Sequence, residues 1–252
     1  DEHQAVRESV GVFDISHMGE FTVKGKDAEN FINKMVTNDI TKLEPGKAQY
    51  NVMCYEDGGI VDDLIVYKME DHFMMVVNAS NIKNETVKLE NKSDNTGLLA
   101  VQGPNSLATL QKLTKIDLSE IGFYNFVEAE LGGKKMIISR TGYTGEKGFE
   151  LYHDPVDSED LWDKIFQAGG EFNIKPVGLG ARDTLRMEMK YMLYGNDIDK
   201  NTTPLEAGLG WIVKFQKGDF IGKDALLRRK DKKSSRKSVI FELEERGIPR
   251  KG

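Results

Sequence analysis

Residues 49–55 (QYNVMCY) and 60–67 (IVDDLIVY) are two runs of strand-forming residues separated only by Glu56-Asp57-Gly58-Gly59. A turn cluster that short joins antiparallel strands, because a parallel partner would need a long crossover connection. Other short segments continue the pattern. Residues 19–25 alternate, with Phe21 and Val23 on one face, and Asp27 then caps a helix whose Ala28, Phe31, Ile32 and Met35 recur at helical spacing. Residues 73–78, 98–102, 135–140 and 149–153 read as further strands. Helices are expected at Leu107, Leu110 and Leu113, after Asp157 or Ser158 with Leu161, Trp162, Ile165 and Phe166 inward, and at Ala181, Leu185, Met189 and Met192. These elements are interspersed with no regular βα alternation and no fixed-period repeat, so an α+β fold is expected rather than a doubly wound parallel sheet.

With 252 residues, 39% of them hydrophobic and 30% charged, the chain can bury a full core as a soluble protein of one or two domains. Its apolar runs fall far short of the roughly 20 residues a membrane helix needs, so no membrane partner is expected. The single cysteine, Cys54, excludes an internal disulfide framework and a multi-cysteine zinc site, and fits a reducing, intracellular compartment. A net charge of −6 gives no global attraction to nucleic acid, and the basic run at 228–237 lacks interleaved aromatics and reads as a solvated linker. His3, His17, His72 and His153 are scattered without metal-ligand spacing, so no metal is expected, and His17 reads as structural. The Gly-Leu-Gly runs at 178–180 and 208–210 lack the third glycine of a dinucleotide loop, and residues 218–224 lack the spacing and hydroxyl of a phosphate loop.

Three places break the apolar pattern. In 60–67, period-two geometry sends Asp62 and Asp63 to opposite faces of a strand otherwise built of buried-type residues, and a carboxylate sharing a face with the core needs donors, a cation or a pocket. A turn-proximal pair on an edge strand is an equally weighted reading. Glu150 follows the glycine-rich loop 141–148 and shares a face with Tyr152, while Phe149 and Leu151 point the other way. A glutamate there can accept two parallel donors, as reading the amide-and-amine edge of a pterin requires, although solvent exposure weighs equally. Arg182, Arg186 and Lys190 stand at i, i+4 and i+8 of a helix beginning near residues 178–180. Arg182, near the helix start, suits an anion; for Arg186 and Lys190 a solvated charged face is the heavier reading.

GVFDISHMGEF (11–21), TNDI (37–40), GGIVDDLIVY (58–67), AVQGP (100–104), SRTGYTGEKGFEL (139–151), GLGARDTLRMEM (178–189) and YGNDIDKNTTPLEAGLGW (194–211) together resemble the glycine cleavage T-protein family along nearly the whole chain. The resemblance implies a folate-binding α+β fold of interleaved subdomains in 1–227, the second at about 37–120, with 228–252 a linker leading into a C-terminal barrel domain that is largely absent. It implies Asp63 as the essential catalytic aspartate and Glu150 as the carboxylate holding the pterin edge. Tyr50, Asn78 and Tyr143 follow as further folate-pocket residues and Arg182 as a contact to the folate tail. The implied reaction moves a one-carbon unit from an aminomethyl group on the lipoyl arm of a carrier H-protein to tetrahydrofolate, with release of ammonia and without metal or flavin. A monomer is expected, in the cytoplasm of a bacterium or the mitochondrial matrix of a eukaryote.

The family also has an additional segment at the start, a helical stretch after the part matching 78–84, and the last barrel-like domain. Two other functions belong to relatives of this fold. One is a folate-binding iron–sulfur assembly factor, whose KGC-type signature is matched here by Lys217-Gly218-Asp219, with Asp219 in place of the thiol. The other is the folate domain of a methylamine dehydrogenase or demethylase, which the lack of a nucleotide-binding glycine fingerprint disfavours.

Overall fold

The protein is described by a computed structural model covering residues 1–77, 87–231, 236–241 and 244–245. Asn78, expected in the folate pocket, lies outside the described residues. The chain runs α1 (Glu2–Glu8), β1 (Gly11–Asp14), β2 (Gly19–Lys24), α2 (Ala28–Met35), β3 (Lys47–Cys54), β4 (Ile60–Lys68), β5 (Phe73–Val77), β6 (Lys88–Asn91), β7 (Gly97–Gln102) and α3 (Ser106–Gln111). It continues with β8 (Phe126–Leu131), β9 (Lys134–Ser139), β10 (Gly148–His153), α4 (Ser158–Gly169), β11 (Lys175–Pro176), α5 (Leu179–Glu188) and α6 (Lys223–Asp231). Two sheets result, one ordered β11-β1-β7-β10-β9-β8 and the other β3-β4-β5-β2-β6, and every pairing but β1 with β11 is antiparallel. This is the expected α+β architecture. Among the described residues no helix is long and apolar enough to cross a membrane.

Strand alternation sorts the apolar residues into layers. Leu99, Val101, Phe149 and Leu151 face outward from the first sheet and are covered by Leu110 of α3 and by Leu161 and Ile165 of α4. Phe21, Val23, Leu64 and Val66 of the second sheet are covered by Ile32 and Met35 of α2. The opposite faces meet each other: Phe13, Leu98, Ala100 and Tyr152 pack on Tyr67, Met74 and Val76. Both sheets are therefore buried on two sides, and a polar group on an inner face sits in low-dielectric surroundings unless a cavity reaches it.

A fourth cluster joins the β3–β4 hairpin to the later chain, with Val52, Cys54 and Ile60 packed on Met192, Ile198, Ile212, Phe220 and Leu226. The hairpin turn makes this possible. Gly59 lies so close to the later segment that a Cβ would sit 1.9 Å from the Lys200 carbonyl oxygen, and the Ile60 N–H donates to the carbonyls of Asp199 and Thr202 at 3.2 and 3.0 Å. Residues 228–231, the start of the basic run, form the last turn of α6, whose Ala225 and Leu226 are buried.

The expected charge stripe on α5 is corrected. The helix stops at Glu188, and Lys190 adopts a left-handed backbone with φ 58° while the Tyr191 N–H returns to the Arg186 carbonyl at 2.9 Å. Lys190 therefore leaves the helical line and donates from Nζ to the Ser238 carbonyl at 3.0 Å. Arg186 is only 4% exposed. It donates to Asp183 Oδ1 from Nε at 2.7 Å, to the Tyr191 carbonyl at 3.1 Å and to Asp197. A buried guanidinium with this many acceptors is a structural cross-link, not a solvated face.

One polar residue of the layer between the sheets has no such support. Glu20 on β2 is 1% exposed, and neither carboxyl oxygen has a hydrogen-bonding partner among the described residues. Burial pushes it from the ordinary value of 4.5 up to about 8. The unfolded chain has released this proton well below pH 7, whereas the folded protein holds it, so the native state loses stability as pH rises between 4.5 and about 8. Glu20→Gln removes that loss. Thermal unfolding should give the variant a higher midpoint than wild type at pH 8 and a similar one near pH 5.

Candidate active site

A cavity of about 1020 Å³ opens between the sheets. Glu150, Tyr152 and Leu98 contribute from the first sheet, Tyr50, Asp63, Ile65 and Val76 from the second, and the loop 140–148 and the segments 189–194 and 207–211 complete the wall. Its size suits a small organic ligand, and its lining is apolar and aromatic with a few polar groups. Two aromatic residues beside it are solvent-exposed, Phe123 at 76% and Trp211 at 63%.

Asp63 and Tyr50 are diagonal neighbours across the β3–β4 ladder, where Val52 stands opposite Asp63 and Tyr50 opposite Ile65. The Tyr50 hydroxyl donates to Asp63 Oδ2 at 2.9 Å, and the Tyr50 ring stacks on Trp211 with centroids 6.2 Å apart. Burial raises Asp63 to about 7; the Tyr50 hydrogen bond opposes this rise and the neighbouring Asp62 charge adds to it. A carboxyl near 7 is populated in both forms at neutral pH, which is what a group that both gives and takes a proton requires. Asp62 stands opposite Met53, is buried, and its Oδ1 accepts the Asp63 backbone N–H at 3.0 Å.

Glu150 is buried on the inner face of β10, beside Tyr152. Thr141 donates its hydroxyl to Glu150 Oε2. Thr141 Oγ1 in turn lies 2.9 Å from Ser139 Oγ and 3.2 Å from Tyr67 Oη, and Tyr67 Oη lies 2.9 Å from Tyr152 Oη. Burial raises the Glu150 pKa, and the Thr141 hydrogen bond and the Arg182 charge offset part of the rise. The carboxyl is thus held by one side-chain donor and faces a cavity, with acceptor capacity left for a ligand.

The glycine-rich loop is fixed from beneath by Gln102, at the end of β7. Its Nε2 donates to the Thr141 carbonyl at 3.1 Å, and its Oε1 accepts from Thr144 Oγ1 at 2.9 Å. A Cβ on Gly142 or Gly148 would come within 2.1 or 2.4 Å of this amide, so the loop needs glycine at both places. Tyr143, carried on the loop, donates to the Met192 carbonyl and stacks on Tyr191 at 5.8 Å. The Arg182 guanidinium lies 4.5 Å from the Tyr143 ring centroid and makes no hydrogen bond or ion pair with another described residue. It remains available to an anion.

Asp63, Tyr50, Tyr143, Glu150 and Arg182, scattered over more than a hundred residues of sequence, therefore line one cavity. Sequence reasoning assigned no part in it to Trp211, Tyr124, Thr141 or Gln102. It read Lys217 only within the segment matching the KGC-type signature; here its Nζ donates to the Val36 and Asn38 carbonyls at 2.6 and 2.7 Å and fixes the turn that presents Asn38. Burial lowers Lys217 to about 8. A tryptophan in a glycine-rich segment is a local signal that could have flagged Trp211. The hydroxyl chain from Tyr152 to Thr141 has no local signal, because its members come from three strands and a loop. His17 is exposed on the turn before β2.

Tyr50→Phe removes a donor that favours the charged form of Asp63 and keeps the ring on Trp211. The Asp63 titration should therefore move upward from about 7, read by carboxyl NMR or as an upward shift of the pH–activity profile.

Residues 1–217 match the family model described as the GCVT N-terminal domain. The whole chain aligns at 51% identity with an aminomethyltransferase of Halothermothrix orenii, covering 74% of that protein, and at 53% with one of Chloroherpeton thalassium, covering 72%. In structure, 92% of the chain matches 66% of the glycine cleavage system aminomethyltransferase T of Bartonella henselae, with a TM-score of 0.82 and 34% identity. The heterotetrameric sarcosine oxidase of Corynebacterium sp. U-96 shares the fold alone, matching 68% of this chain and 90% of its own at a TM-score of 0.52 and 15% identity. With a family model over most of its length, full-length relatives at about half identity and a solved structure of the same fold, the chain belongs to the glycine cleavage T-protein family of aminomethyltransferases.

Proposed function

We propose that the cavity between the sheets binds tetrahydrofolate, with its pterin edge on Glu150 and the anionic tail toward Arg182. The aminomethyl group arrives on the lipoyl arm of a carrier H-protein. The observation that carries this reading is Glu150, a buried carboxyl facing the cavity with Thr141 as its single side-chain donor. An amide-and-amine edge supplies the parallel donors it lacks. Tyr143 and Tyr50 offer aromatic faces to the ligand, and Arg182 offers a fork for a carboxylate. Asn78 belongs to the same proposal by family resemblance.

In the proposed reaction the C–N bond of the aminomethyl group breaks and ammonia leaves, the sulfur lone pair stabilising the carbon as a thionium-like cation, and N5 of tetrahydrofolate attacks that carbon; the methylene-iminium on N5 forms only in the next step. The C–S bond then breaks and N10 closes the methylene bridge. The two protons lost by N5 and N10 end on the ammonia and the lipoyl thiol. In this reading the Asp63 carboxylate stabilises the developing positive charge and, with a pKa raised to about 7, accepts or returns one of these protons. Tyr50 positions that carboxyl and restrains its rise in pKa. The chemistry calls for neither metal nor flavin. The bacterial relatives favour a cytoplasmic setting.

The test is ammonia release from an aminomethyl-lipoyl carrier, with and without tetrahydrofolate. Release stimulated by tetrahydrofolate is expected, and no release from the folded full-length protein overturns the reading. Asp63→Asn keeps the shape and should lose about 10²–10⁴ in turnover at saturating substrates with an unchanged melting curve. Near-normal turnover would remove Asp63 from the chemistry. Glu150→Ala should weaken tetrahydrofolate binding by roughly 1–3 kcal/mol in a calorimetric titration, by leaving the donors of the pterin edge unpaired.

A further inference from the structure

A second cavity, of about 670 Å³, shares Tyr152 with the first and none of its other lining residues. It lies toward the other end of the space between the sheets. Glu20 and Thr22 of β2 and Met74 of β5 form one side, and Ala129, Met136 and Ile137 of β8 and β9 form the other. Glu20 lines it while almost wholly buried, with both carboxyl oxygens lacking a hydrogen-bonding partner among the described residues. Buried polar groups are nearly always partnered, because an unmet carboxyl forfeits strong hydrogen bonds to water. A carboxyl kept in this condition beside a ligand-sized space points to a donor that arrives from outside.

The surroundings define that donor. Acidic groups predominate around the cavity, with Glu128 and Glu130 on β8 and Asp154 after β10 joining Glu20. Of the two lysines, Lys92 pairs with Glu90 at 3.0 Å, and Lys135 is the cross-strand neighbour of Glu130 in the β8–β9 ladder, where the two opposite charges offset one another without an ion pair. The two histidines are also engaged, His72 with Asp71 at 2.6 Å and His153 with Ser158 at 2.9 Å and the Leu151 carbonyl at 3.1 Å. The remaining wall joins the neutral polar groups of Thr22, Asn95 and Thr96 to a soft apolar part, the thioethers of Met69, Met74 and Met136 and the ring of Tyr152. This combination repels an anion and suits a compact cation with a short hydrocarbon body.

We propose that this cavity is a second ligand site, separate from the folate cavity, that takes a small organic amine in its ammonium form, with its N–H groups on Glu20 and its alkyl body against Met74, Met136 and Tyr152. Binding ionises Glu20, whose proton passes to solvent, and turns an unmet neutral carboxyl into a charge-assisted pair. The glutamine variant keeps the buried shape and is expected to fold at least as well as wild type, so it separates binding from stability.

The experiment is calorimetric titration of the whole chain with n-butylammonium at pH 7, with and without saturating tetrahydrofolate, in buffers of different ionisation enthalpy. One saturable site unaffected by tetrahydrofolate is expected, with proton release to the buffer and affinity lowered about tenfold or more in E20Q. Methionine-methyl NMR supplies a second measurement that needs no variant. The Met74 and Met136 signals should shift on titration, and that of Met189, in the folate cavity, should stay in place. Lack of saturable binding, equal affinity in E20Q, displacement by tetrahydrofolate, or a shift of Met189 in place of Met74 and Met136 overturns the proposal. Failure of the amine to bind, or equal affinity in E20Q, leaves the first cavity's binding of tetrahydrofolate untouched, since that is read by a separate titration without the amine.

Discussion

The hydroxyls of Tyr67 and Tyr152 meet at 2.9 Å across the layer between the two sheets, with their rings edge to face at 5.5 Å. Each tyrosine lies in a strand covered by helices or sheet on both sides, so neither hydroxyl has access to bulk water; the Tyr67 hydroxyl also meets Thr141 and Ser139, whereas the Tyr152 hydroxyl needs Tyr67. Satisfying that need brings the inner face of β4 against the inner face of β10. The same approach puts Asp63, four residues before Tyr67, and Glu150, two residues before Tyr152, around one space. The site thus depends on a polar contact inside an otherwise apolar layer, and the apolar residues around it, Phe13, Phe126 and Val76, hold the sheets at the separation it requires.

Around this contact the protein controls protonation by position. Asp63, Glu150 and Glu20 are all raised by burial, but they differ in what opposes the rise. Tyr50 holds Asp63 near neutrality, Thr141 and the Arg182 charge support Glu150, and Glu20 has no side-chain donor. Three carboxyls on neighbouring inner faces therefore answer to different partners, which separates a group suited to proton exchange from one suited to gripping a ligand edge. Arg186 shows the opposite use of burial: its charge is matched by Asp183 and Asp197, so it ties α5 to the following loop and stays out of the chemistry.

Much of the site was legible because its residues violate a local pattern. Asp63 and Glu150 interrupt apolar strands, and the strand period alone assigns Asp62 and Asp63 to different sides and Glu150 to the side of Tyr152. Arg182 was marked by its place near a helix start. Arg186 and Lys190 misled the same reasoning, since helical spacing assumes that the helix continues, and the left-handed turn at Lys190 ends it. Gln102 went unassigned although it lies in a recognisable motif, because an amide at a strand end gives no sign that a loop forty residues later will be built on it.

The sequence by itself determined most of the central strands and helices, the antiparallel hairpin around Gly58 and Gly59, the α+β class and the family, since these depend on residue periodicity, turn chemistry and ordered motifs that are all local along the chain; the short strands β1, β6 and β11, the strand β8 and the terminal helices α1 and α6 it did not mark. Tertiary structure alone decided which inner faces meet, that Tyr50 hydrogen-bonds Asp63, that Gln102 supports the loop carrying Tyr143, and that Glu20 is left unpartnered beside a second cavity. The physical reason is that burial and hydrogen-bond satisfaction are properties of the assembled layers. A strand's period says which side a carboxyl points to, but its pKa and its partner are set by what another sheet, brought from a distant part of the chain, places against that side.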